Sequence, residues 1–181
     1  MTVLLSTADR TKTESAGALA SLTFRDAVRS EDAQSVQKIV VSTGYFTPSE
    51  INVAVELVEE RMSKGDASGY HFLFAEQNAR TVGYACFGPI ACTVSSYDLF
   101  WIAVEQSQRG GGIGREILTR TEMAIARMGG RRVYIETSSR PLYEPTRAFY
   151  LRNGYTVEAT LKDFYSPGDD KVIFVRSLSS D

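Results

Sequence analysis

The chain has 181 residues, 43% of them apolar and 23% charged, with a net charge of −2, the profile of one soluble globular domain with a core of its own. That balance excludes the basic field of a nucleic-acid binder, and no apolar run reaches the length that spans a bilayer. Two cysteines, Cys86 and Cys92, and one histidine, His71, are too few for a zinc site or a disulfide framework, so no metal is expected and buried free thiols are expected ahead of a redox pair.

The opening MTVLLSTADR has a short apolar patch and no basic start, which makes a poor signal peptide. The protein is therefore read as cytoplasmic. Residues 1–20 are rich in Ser, Thr, Ala and Gly without periodicity and read as a loose tail. A single domain is expected over 21–181. LTFRDAV reads as a first strand, and Ser30 is placed to cap a helix through EDAQSVQKIVVST. TPSE at 47–50 is a helix start: Thr47 caps, Pro48 takes the first helical position and Glu50 closes a capping box. Ile51, Val55, Val58 and Met62 follow at helical spacing.

YHFLFAEQNARTVGYACFG reads as two strands joined by a polar turn at Gln77 to Arg80. YDLFWIAV, 97–104, is apolar on both alternating faces, as a strand covered on both sides must be. The next helix puts Ile113, Ile117, Thr121, Ile125 and Met128 on one face and stops at Gly129-Gly130. RRVYIET is a strand, EPTRAFYLRN a short helix, and YTVEATLKDFY and KVIFVRSL are two closing strands around SPGDD. There is no internal repeat.

QRGGGIGREIL, 108–118, carries the functional signal. Four glycines in five positions can turn backbone N–H groups inward and keep side chains out of the way. The helix that begins beside them adds unpaired N–H groups and the positive end of its dipole. Phosphate or pyrophosphate suits such a loop, with Arg109 and Arg115 flanking it. A dinucleotide fold is the main rival, with Glu136 as its ribose acid. Its glycine spacing fails, because the third glycine position holds Arg115 or Ile117. A P-loop fails because no Lys-Ser or Lys-Thr follows.

On these residues the sequence resembles the GNAT superfamily of N-acetyltransferases. The family's coenzyme A loop is matched by Arg109-Gly110-Gly111-Gly112-Ile113-Gly114, the strand before it by WIAV, and its tyrosine helix by AFYLRNGY, 148–155. The resemblance runs from about residue 22 to 178. It implies an α/β acyl-CoA N-acyltransferase fold with a mixed, largely antiparallel, splayed sheet flanked by helices. It also implies acetyl-CoA as co-substrate. The backbone of Ile102, Ala103 and Val104 would pair with the pantetheine arm, and the N–H of Val104 would meet the thioester carbonyl. The N–H groups of Arg109, Gly110, Gly111, Gly112, Ile113 and Gly114 would hold the pyrophosphate, beside Arg115. A homodimer is compatible with the family.

Amine acetylation needs a base for the ammonium, a donor for the oxyanion and an acid for the leaving thiolate. Tyr150, in the motif's tyrosine position, is the candidate acid, since a phenol stays protonated at neutral pH. Asp98 and Glu136 are the candidate bases. Asp98 is the one charge in YDLFWIAV and, six residues before Val104, shares its face by strand parity. Glu136 ends a buried-looking strand before small residues and is slightly favoured. Asp163, Tyr165, Asp169 and Asp170 are candidates to meet a substrate ammonium or a partner subunit. Tyr143 and Arg147 would line the same side, Arg147 to grip a carboxylate. A Cys–His acyl-enzyme using His71 has no motif behind it. The expected activity is transfer of an acetyl group from acetyl-CoA to a primary amine of a small polar metabolite. A protein N-terminus or lysine is the alternative acceptor, and a non-catalytic acyl-CoA sensor or partner-binding module is the alternative class.

Overall fold

The computed structural model describes residue 19 and residues 21–178. The expected loose tail lies outside the described residues, apart from Leu19. Seven strands form one sheet in the order β1-β2-β3-β4-β5-β7-β6. They are β1 (Leu22–Arg25), β2 (His71–Gln77), β3 (Arg80–Pro89), β4 (Ser96–Val104), β5 (Arg132–Ser138), β6 (Thr156–Ser166) and β7 (Asp169–Ser177). The helices are α1 (Asp32–Thr43), α2 (Pro48–Lys64), α3 (Ile113–Arg127) and α4 (Glu144–Arg152). Neighbouring strands run antiparallel except β4 and β5, which are parallel. No helix among the described residues is long and apolar enough to cross a membrane.

Helices cover both faces of the sheet. Val36, Ile39 and Val40 of α1 and Ala54 and Val58 of α2 pack on Phe72, Phe74, Tyr84, Trp101 and Ala103. On the other face Ile113, Ile117, Leu118 and Ile125 of α3, with Phe149 and Tyr150 of α4, pack on Leu99, Ile102, Val104, Val133 and Ile135. Double coverage explains why YDLFWIAV lacks a polar face: β4 is the middle strand of the seven.

Local chemistry sets the element ends. The Thr47–Glu50 capping box forms, with Pro48 in the first turn. Ser30 does not cap α1. Its hydroxyl donates to Glu31 Oε2 at 3.1 Å, and the helix entry is built instead on Asp32, which is fully buried and ion-paired to Arg25. Asp32 also accepts from the backbone N–H of Arg29 at 2.7 Å. A carboxylate that must be buried with a guanidinium holds this turn more firmly than a surface hydroxyl.

Candidate active site

β4 and β5 pair over only three positions, Ser96 with Arg132, Tyr97 with Val133 and Asp98 with Tyr134. Past Asp98 the two strands part. β4 keeps β3 on one side as far as Val104, while its other edge faces the opening with no strand beside it. A strand edge of this kind is a hydrogen-bonding rail for an extended ligand. Ile102, Ala103 and Val104 lie on it.

The rail leads into the glycine loop. A cavity of about 150 Å³ is lined by Val104, Arg109, Gly110, Gly112, Ile113, Gly114 and Arg115, with Gln108 and Phe149. Gly110 and Gly112 have φ of +85° and +86°, left-handed backbone that glycine adopts without strain. Gly112 is the N-cap of α3, and no side chain caps the helix there. Its first-turn N–H groups are therefore left for a ligand.

Arg109 gives an independent mark of an anion site. Its Nε donates to the Val104 carbonyl at 3.3 Å, and its guanidinium carbon lies 5.6 Å from the Tyr45 ring centroid. A second guanidinium nitrogen, Nη2, is buried without a hydrogen-bond partner. Burial pulls the pKa of this arginine down to about 10. A half-buried cation with an orphaned donor is costly unless a counter-ion arrives. The residues present thus fit a diphosphate-bearing coenzyme: a backbone cradle, a helix N-terminus and a cation in need of an anion.

The polar end of the opening lies on the opposite face. Trp101 pairs with Cys86 and Leu99 with Phe87, so Phe100 is an extra residue, a β-bulge in β4. The bulge breaks the alternation. Leu99 and Ile102, three apart, pack in one core, and Trp101 and Ala103 in the other. Asp98 therefore shares the face of Trp101 and Ala103, and the expectation that it lies on the same face as Val104 is overturned. The carboxyl of Asp98 is pushed up to about 6, first by burial and then by the nearby charge of Glu136.

Glu136 on β5 does not stand alone. Lys171 Nζ on β7 lies 2.7 Å from Glu136 Oε2, with the lysine side chain 13% exposed. The same ammonium sits 3.7 Å from the Phe164 ring centroid and 6.0 Å from that of Tyr165. Tyr165 is pushed up to about 12 by burial, then by Glu136, Asp169 and Glu50. Asp98, Glu136, Glu50, Lys171 and Tyr165 thus gather at the splay. Lys171 was not found from sequence, because its relation to Glu136 depends on β7 lying beside β5. Glu50 announces itself in the sequence only as a helix cap.

Other expected site residues have different work. Arg147 donates to the carbonyls of Ser138 at 2.7 Å and Arg140 at 3.0 Å, so it clamps the β5–α4 link instead of gripping a carboxylate. Tyr143 is fully buried, edge-on to Tyr45. The acids after β6 mostly build their own hairpin. Asp163 accepts from the N–H of Gly168 at 2.6 Å, Asp170 accepts from the N–H of Asp163 at 2.9 Å, and buried Asp169 pairs with Arg140. Tyr150 is fully buried among Phe149, Tyr155 and Phe174, next in chain to the Phe149 that lines the glycine-loop cavity. Cys86 is buried with its thiol pushed well up by desolvation, Cys92 is exposed, and both are free. His71 stacks on Phe87, away from any of these acids in the contacts it makes.

Comparison with known proteins agrees with this geometry. Residues 68–157 match the family model described as an acetyltransferase (GNAT) domain. A protein of Desulfovibrio desulfuricans, assigned to the GNAT family of acetyltransferases, is 45% identical. Its crystal structure superimposes with a TM-score of 0.86 over 87% of this chain and 99% of that one. The aminoglycoside 6'-N-acetyltransferase of Enterococcus faecium shares the fold at 18% identity and TM-score 0.71, over 88% of this chain and 98% of its own. So does the PaiA N-acetyltransferase of Thermoplasma acidophilum in complex with coenzyme A, at 17% identity and TM-score 0.68, over 87% and 99%. Curated protein sequences give no match. With the splayed parallel pair, the uncapped glycine-loop helix and a relative aligned along nearly its whole length, the chain belongs to the GNAT family of acetyltransferases.

Proposed function

We propose that the protein transfers an acetyl group from acetyl-CoA directly to the primary amine of a small, polar, cationic metabolite. The observation that carries this reading is the half-buried Asp98 carboxylate at the point where β4 and β5 part, with Glu136 beside it. Acetyl-CoA, when bound, supplies the activated acetyl thioester. Arg109, Arg115 and the N–H groups of residues 109–114 bind its diphosphate, and the open edge of Ile102 to Val104 orients its arm.

An amine arrives protonated at neutral pH and must lose a proton before it can attack. Asp98 is the base in this scheme. A carboxyl that titrates near 6 is ionised at pH 7 yet a better proton acceptor than an ordinary aspartate. Glu136, held by Lys171, is the second acid and attracts the incoming ammonium. This reverses the slight preference for Glu136 drawn from sequence. The hydroxyl of Tyr150 is the proton donor to the leaving thiolate. Glu136 and Glu50 favour a cationic acceptor, since the charges of both act on the half-buried Tyr165, whereas Asp169 is already paired with Arg140. The cytoplasm belongs to the same reading: both cysteines are free thiols, as a reducing compartment keeps them.

The test is a thermal melt with acetyl-CoA, coenzyme A, NAD and ATP in parallel, followed by a panel of small amines, peptides and amino acids. A ligand at a hundred times its dissociation constant stabilises by about 2.7 kcal/mol. Stabilisation by the two coenzyme A species alone, with turnover on a polycationic amine, is the expected result. Stabilisation without turnover on any amine would convert the protein into an acyl-CoA sensor.

A further inference from the structure

Lys171 is an amine held against Glu136, one of the two acids of the proposed reaction. It stands opposite Ser138 in the β5–β7 register, two residue pairs from Glu136 and Ile173 and on the same face of the sheet. Its Nζ is 2.7 Å from a carboxylate oxygen of Glu136 and only 13% of the side chain is exposed. The Phe164 ring closes over it at 3.7 Å. Its charge also acts on Asp98, so the ammonium contacts one candidate base and acts through space on the other. The other three lysines among the described residues are on the surface: Lys64 pairs with Glu60 and is 59% exposed, and Lys38 and Lys162 are exposed.

We propose that Lys171 is a self-acetylation site: in the absence of an external amine, the protein transfers the acetyl group of acetyl-CoA to its own Lys171 Nζ. The inference rests on the acetyl-CoA reading above. In the step, the Lys171 ammonium gives one proton to Asp98, which passes it to solvent. The freed nitrogen forms the amide C–N bond as the thioester C–S bond breaks. The second nitrogen proton is balanced by the one the leaving thiolate takes up, and the products are Nε-acetyl-Lys171, free coenzyme A and one proton. The modification removes the positive charge that pairs with Glu136 and fills the acceptor end of the splay with an uncharged amide. An incoming cationic amine therefore competes with Lys171 for the same two carboxylates.

The experiment is intact-mass and peptide-mapping spectrometry of the purified protein after incubation with acetyl-CoA and no amine. The expected result is a gain of one acetyl group, mapped to Lys171. Chemical acetylation favours exposed amines, whereas orientation at the thioester outweighs exposure, so Lys171 should be modified at least about tenfold faster than Lys38, Lys64 or Lys162. Lys171→Arg, which keeps the charge, should lose the gain, Lys162→Arg should keep it, and Asp98→Asn should slow it. Acetyl-Lys171 already present as purified, and absent from Asp98→Asn, is the same result. No acetyl on Lys171, or acetyl groups spread over the lysines by exposure, overturns the inference. The thermal melt of the same sample separates the two failures: stabilisation by coenzyme A with unmodified Lys171 sinks the self-acetylation alone, and no stabilisation sinks the acetyl-CoA reading with it.

Discussion

The Tyr155 hydroxyl donates a 2.8 Å hydrogen bond to Glu122 Oε1 and so ties the end of the tyrosine helix to the middle of α3. Arg176 completes the set at 3.0 Å from Glu122 Oε2, and both Tyr155 and Glu122 are buried. Burial raises the Glu122 pKa, against the two hydrogen-bonding partners that lower it. Tyr155→Phe removes one partner and leaves the carboxylate under-satisfied. The expected loss of stability is about 1–2 kcal/mol by denaturant unfolding. A loss below the error of the measurement would mean that water replaces the phenol and that the link is ornamental to the fold.

Asp98 ties activity and stability to pH in opposite senses. Its folded pKa, about 6, lies above the unfolded value near 3.9. Folding therefore favours the protonated acid, and the group's contribution to stability falls as pH rises from about 4 through about 6. In the proposed mechanism activity needs the carboxylate, so it should rise through the same window. Asp98→Asn should stabilise the protein above pH 6 by about 1–2 kcal/mol, after allowance for solvent screening, and do nothing at pH 4. It should also remove the acidic limb of the kcat/KM profile. An unchanged acidic limb would transfer the role of base to another group.

Gly111 and Gly112 separate folding from binding. A Cβ on Gly112 meets φ of +86°, while one on Gly111 meets nothing nearer than the Gln108 carbonyl at 4.0 Å. Gly112→Ala should cost about 1–2 kcal/mol of stability. Gly111→Ala should stay within about 0.5 kcal/mol and yet weaken coenzyme A, if the loop backbone at this position belongs to the proposed diphosphate cradle. Full coenzyme affinity in Gly111→Ala, measured by calorimetry, would remove that segment from the cradle.

Arg109→Ala removes a cation that the free protein holds with an orphaned donor. Coenzyme A affinity should fall about 10–100-fold, the range of a charge-assisted hydrogen bond. The melting temperature of the free protein should hold or rise, since the variant buries no unpaired charge. A fall in melting temperature with unchanged affinity would make Arg109 a structural residue.

The sequence was most legible where one residue type has one reason to be in place. Thr47, Pro48 and Glu50 announce a helix start, and the glycines around Gly112 announce a cradle. Both needs are local, so both are visible in a few consecutive letters. Asp98 was found as a candidate but assigned to the wrong face, because nothing in YDLFWIAV marks Phe100 as the extra residue; the bulge exists only against β3. Lys171 was invisible because it meets Glu136 across a strand pair 35 positions away in sequence. Ser30 misled for the converse reason: a good local cap lost to Arg25 and Asp32, a pairing between separate elements. The order β5-β7-β6 likewise lies beyond local pattern, since β7 inserts between strands that precede it.

Phe100 leaves a different kind of trace in heredity than the residues around it. What matters there is that the strand carries one more unit than its neighbour, and the side chain itself is only partly buried. Exchange of Phe100 for another large apolar residue should be neutral, whereas its deletion should leave Asp98 and Tyr97 on their present faces and remove the local bend and added twist that the bulge gives the strand where the sheet splays. Substitution scanning alone would pass over this position, and a scan of single-codon deletions would find it.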